Sequence, residues 1–111
     1  MYKLILAGWF MIQASTAWAG PSFPIDTEVT VVWDHMGYEA YFDMTLFDDR
    51  TALMAGAEAF WRWNAAAGAV KIRLDTEGSQ VEYLGRYAAG CFEGEMWNRT
   101  FGFHGTWESC I

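Results

Sequence analysis

From Glu28 onward apolar and polar side chains trade places almost residue by residue, and few folds tolerate that pattern along a whole chain. Val29, Val31 and Trp33 alternate with Glu28, Thr30 and Val32; Ala40, Phe42, Met44 and Leu46 alternate with Glu39, Tyr41, Asp43 and Thr45. Trp61 and Trp63 share one face of "EAFWRWN", with Glu58 and Arg62 on the other, and Val70, Ile72 and Leu74 alternate with Lys71, Arg73 and Asp75. After "TEGS", Val81, Tyr83, Gly85 and Tyr87 alternate with Glu82 and Arg86. Successive side chains of a strand point to opposite sheet faces, so a period of two means strands with one face buried. Turn chemistry such as Asp48-Asp49-Arg50 interrupts the runs every ~8–12 residues, the spacing of an all-β sandwich or barrel. The alanine-rich segment 51–60 suits a short strand, Gly56 and another strand; its alternative is a single helical turn.

The two cysteines give a sharper constraint. If Cys91 and Cys110 face each other across a hairpin, Gly94 lies opposite Trp107, Met96 opposite Gly105, and the loop is Arg99-Thr100-Phe101-Gly102. Each glycine then bares backbone that a large side chain on the next strand covers. Closing a loop of this size contributes about 3 kcal/mol on the chain-entropy account. The expected fold is all-β: an up-and-down antiparallel meander of seven or eight short strands, curled into a barrel or a strongly twisted sheet, with one disulfide.

Residues 1–19 stand apart. Lys3, the apolar run Leu4 to Ile12 and the closing Ala17-Trp18-Ala19 read as a secretory signal peptide cut after Ala19. Nine apolar residues fall well short of the ~20 needed to cross a bilayer. Residues 20–111 then form one all-β domain, exported to a periplasmic or extracellular space where two thiols oxidise. Sixteen aromatic residues lie in that stretch, enough apolar surface to exclude disorder. The formal net charge of −7 becomes about −8 without Lys3. Such a surface repels nucleic acid and anionic lipid, so neither is an expected partner.

The alternation in "YLGRYAAGCFEGEMW" followed by "GFHGTWESC", closing on Gly-Thr-Trp, resembles small secreted meander barrels of the calycin type, the avidin-like and lipocalin-like proteins. The resemblance covers the last thirty or so residues. It implies a barrel that carries a small apolar ligand, with no site residues transferred position by position.

Parts for catalysis are few. No serine sits in a nucleophile elbow, no glycine-rich loop precedes a helix, and both cysteines are taken by the bridge, so the chain does not read as an enzyme and no cofactor is expected. Asp34-His35 is a weak acid/base candidate in a turn where Asp serves the backbone. Three sets of residues remain. Trp97, Phe101 and Phe103 at the hairpin end form a candidate interaction surface for another protein, of inhibitor or adaptor type. Trp33, Trp61, Trp63 and Trp107 are candidate walls of a pocket for a small apolar ligand. Glu93, Glu95, Glu108 and His104 share the outer hairpin face, with Glu93 opposite Glu108, and are candidate ligands for a cation. Asn98-Arg99-Thr100 fits a glycosylation sequon.

Overall fold

The protein is described from a computed structural model, over residues 20–33, 39–76 and 78–111. The expected signal peptide (1–19) and the Asp34-His35 pair lie outside the described residues. Eight strands follow in chain order: β1 Ile25–Trp33, β2 Glu39–Leu46, β3 Thr51–Met54, β4 Ala57–Asn64, β5 Ala69–Thr76, β6 Ser79–Ala88, β7 Cys91–Asn98 and β8 Phe103–Cys110. Every neighbour pair is antiparallel, and β8 returns to pair with β1, closing a barrel. The segment whose alanines also suit a helix forms β3 and β4, joined at Ala55 and Gly56 with φ of 53° and 82°. Two left-handed residues in a row make the tight turn that matches strand twist. Ala89 and Gly90 (54° and 82°) do the same between β6 and β7.

Following the eight registers once round the wall returns to β1 displaced by about ten residues. For eight strands that stagger corresponds to a strand tilt of about 40° and a backbone radius of about 8 Å, which side chains can fill. Val29, Val31, Met44, Leu46, Met54, Trp61, Ile72, Phe92, Met96 and Trp107 are buried and form one continuous core. Trp61 and Phe23 stack with ring centroids 5.3 Å apart at one mouth. Tyr83 and Trp107 meet edge to face at 5.6 Å, and Trp107 and Phe92 stack at 6.3 Å. Burial pushes the Tyr83 phenol pKa well up.

The terminal hairpin has the register that the cysteines imply. Cys91 pairs with Cys110 in a disulfide, Gly94 lies opposite Trp107, Met96 opposite Gly105, and residues 99–102 form the turn. Gly94 also lies opposite Gly85 on β6. Two bare backbones side by side let the Trp107 indole reach across β7 and donate its Nε1–H to the Leu84 carbonyl, 3.1 Å away. A Cβ on Gly94 would collide with that same carbonyl oxygen, and a Cβ on Gly85 would come within 2.7 Å of Trp107 Cζ2.

Candidate functional site

The outer wall over the glycine pair is concave. On that side β5, β6 and β7 form an open groove of about 730 Å³ over Gly85 and Gly94, bordered by Ala69, Leu84, Arg86, Glu93, Glu95 and Trp97. Leu84 is 39% exposed although it stands mid-strand. Large apolar side chains left in water beside a concave surface favour a binding surface over a solvated face.

Trp97 stands at the hairpin end of this groove. Its outward position follows from the alternation that sends Phe92 and Met96 inward. Its ring packs against His104 directly opposite, at 5.3 Å between centroids, and His104 Nε2 lies 3.0 Å from a Glu95 oxygen. Behind it, Glu82 on β6 lies opposite Trp97, and Arg99 donates to it from Nε at 2.8 Å and from Nη2 at 2.7 Å. Lys71 Nζ approaches the other Glu82 oxygen at 3.7 Å. The Arg99 hydrogen bond, aided by the charges of Arg99, Lys71 and Arg73, outweighs desolvation and holds the Glu82 carboxyl below its usual pKa. The pair also fastens the first loop residue to the barrel wall. Asn98 Oδ1 accepts from the Thr100 and Phe101 backbone N–H groups and sets the rest of the turn.

Phe101 at the tip is 62% exposed. It stacks on Phe103 at 6.0 Å, and Phe103 meets Trp33 edge to face at 5.9 Å. Phe101, Phe103 and Trp33 therefore form one row of rings at the mouth where β1 ends and β8 begins. Of the three candidate interaction residues, Phe101 is exposed, while Trp97 and Phe103 are half-buried. Trp97 and Phe101 sit on the outer wall and the tip of the same hairpin rather than in direct ring contact.

The four candidate pocket tryptophans do not line one space. Trp61 and Trp107 are buried in the core, Trp33 stands at the hairpin-tip mouth, and Trp63 lies toward the opposite mouth near the end of β4. Trp61 donates Nε1–H to the Phe47 carbonyl at 2.8 Å and carries the Arg50 guanidinium over its ring at 4.5 Å. Glu93 and Glu108 do face each other, and Glu95 is engaged with His104. Among the described residues no group of three or more His, Cys, Asp or Glu side chains is arranged to hold a metal ion.

Two features escaped the sequence reading, the groove and the Glu82–Arg99 pair. The signal for both is the β6–β7 register, which the two-residue turn at Ala89-Gly90 fixes. Once it is known, Gly85 falls beside Gly94 and Glu82 beside Trp97. No family model, curated protein or solved structure matches this chain.

Proposed function

We propose that this protein is an exported, non-catalytic binding module that contacts another protein through the β6–β7 groove and the adjoining hairpin tip. Trp97 and Phe101 would be its anchors. The observation that supports the reading is a division of apolar surface. The barrel's interior is occupied by its own rings, while a concave apolar groove headed by an indole opens on the outside. Binding energy at protein interfaces concentrates in such aromatic anchors set in a concave, partly charged rim. Arg86 and Glu93, opposite each other at the groove, provide rim charges of both signs. The Glu82–Arg99 pair and the Asn98 turn hold the tip in one shape, which lowers the ordering cost of docking. The disulfide is compatible with export.

A photo-crosslinking amino acid placed at position 97 or 101, with position 48 in the β2–β3 turn as control, tests this in the producing cell. A discrete adduct to a second protein from 97 and 101, missing from 48, is the expected result. Absence of adducts, together with a small apolar molecule retained by the purified protein in native mass spectrometry, would replace this reading with that of a ligand carrier.

A further inference from the structure

Two further surfaces, one across the barrel and one adjoining the groove where Lys71 lies opposite Leu84, are opposites of each other. On the outer wall of β1 and β2, Glu28 faces Asp43 directly across the strands, with Asp26, Glu39 and the β8 residue Glu108 around them. Tyr41 rises from the middle of this acidic wall, 60% exposed. On the outer wall of β4 and β5, Arg62 faces Lys71 directly, Arg73 stands one outward position further along, and Phe60 opposite Arg73 is 63% exposed. Each wall has a shallow depression at its charged pair, one bordered by Asp26, Glu28 and Asp43, the other by Phe60, Arg62, Lys71 and Arg73. Glu82 on β6, opposite Arg73, is shared between Arg99 at 2.7 Å and Lys71 at 3.7 Å, and the exposed Glu58 and Asp75 stand one outward position beyond Phe60 and Arg73, so the wall is basic at its Arg62–Lys71 end.

Like charges directly opposite on a sheet destabilise the strand pair. Among the described residues the registers set one basic pair, Arg62–Lys71, and two acidic pairs, Glu28–Asp43 and Glu93–Glu108, directly opposite; Arg62–Lys71 and Glu28–Asp43 each stand next to an exposed ring. Three of the six Lys and Arg beyond Lys3 are gathered on the β4–β5 wall, and none lies on the β1–β2 wall. A surface of opposite sign with an apolar centre would relieve either wall, and the chain itself supplies both.

We infer that the protein self-associates head to tail, the acidic β1–β2 wall of one copy docking on the basic β4–β5 wall of the next. The two walls are three strands apart around the barrel, so the contact joins different patches and grows into a ring or an open chain rather than a two-fold dimer. The molecule's net negative charge opposes association at long range. At about 0.15 M salt that repulsion is screened beyond about 8 Å, whereas charges in contact across an interface are screened much less.

Sedimentation velocity over a wide concentration range tests this, first at about 0.15 M and then at about 1 M salt. The wild type is expected to gain mass with concentration at the lower salt and to return to monomer at the higher. Two charge reversals complete the test, Arg62→Glu with Lys71→Glu, and Glu28→Lys with Asp43→Lys. All four positions face water, and circular dichroism checks that each variant is folded. Each variant alone should weaken association tenfold or more, because its two walls then have the same sign. An equimolar mixture should restore it, because the variants complement each other. A wild type that stays monomeric throughout, reversals that associate like wild type, or a mixture that remains monomeric each overturns the inference.

Discussion

Gly94→Ala is the most informative single substitution in this barrel. Gly94 has β-strand neighbours on both sides, and a methyl group there would point at the Leu84 carbonyl and the Gly85 Cα of the adjacent strand. Both are backbone atoms, so no rotamer change makes room. The methyl must displace either β6 or the Trp107 indole, whose N–H uses the same carbonyl. Two contributions combine: overpacking in a filled interior, about 1–3 kcal/mol, and a buried indole N–H deprived of its acceptor, about 1–3 kcal/mol. Their non-additivity puts the cost near 3 kcal/mol, a large share of the ~5–15 kcal/mol available to a small domain. Urea unfolding followed by tryptophan fluorescence measures it, with near-ultraviolet circular dichroism reporting the altered Trp107 environment. A Gly94→Ala protein within about 0.5 kcal/mol of wild type, with an unchanged near-ultraviolet spectrum, would refute the idea that the bare backbone exists to admit Trp107.

Replacing Cys91 and Cys110 by serine is expected to cost about 3 kcal/mol in urea unfolding, because the bridge spans 19 residues and constrains the unfolded chain. The far-ultraviolet spectrum should stay that of the barrel, since the β7–β8 ladder remains. Trp61→Phe forfeits the hydrogen bond to the Phe47 carbonyl and leaves a void under Phe23, so a loss of about 2–3 kcal/mol is expected by the same measurement. Glu82 titrates below its usual range in the folded state, so its stabilising contribution is present above the ordinary glutamate pKa and is lost as pH falls through the lower folded value. Urea midpoints of wild type and Glu82→Gln should therefore differ at neutral pH and converge in acid. Burial of Tyr83 predicts that its phenol resists ionisation until alkali unfolds the chain, read from absorbance near 295 nm.

The architecture was legible because each of its determinants is local or nearly so. Strand identity follows from side-chain alternation, and the terminal hairpin follows from two cysteines whose pairing fixes every opposite residue between them, down to Trp107 over Gly94. Closure was not legible. Whether Trp33 ends a sheet edge or joins Gly105 of β8 depends on the stagger summed over eight pairings, and a slip at any one of them opens the barrel. The candidate sites fared less evenly for the same reason. Glu93 and Glu108, opposite on one hairpin, were placed together correctly. Trp33 and Trp63 were grouped by type and inward direction, but their heights within the barrel depend on registers between distant strands. Leu84 has the alternation of a surface position and the chemistry of a core one, a conflict that only the groove beside it accounts for.

The pairing of β1 with β8 brings the start of the first strand beside the end of the last, with the Thr27 hydroxyl donating to the Cys110 carbonyl at 3.0 Å. In a ring of strands the place where the polypeptide starts is a genetic accident rather than a mechanical necessity. A short peptide tether from Ile111 to the residues before Ile25 would permit a new opening at Ala55-Gly56 or in the 65–68 loop, with every strand keeping its neighbours. Such a rearranged chain could present the groove and tip next to a fusion partner on whichever side an engineer chooses.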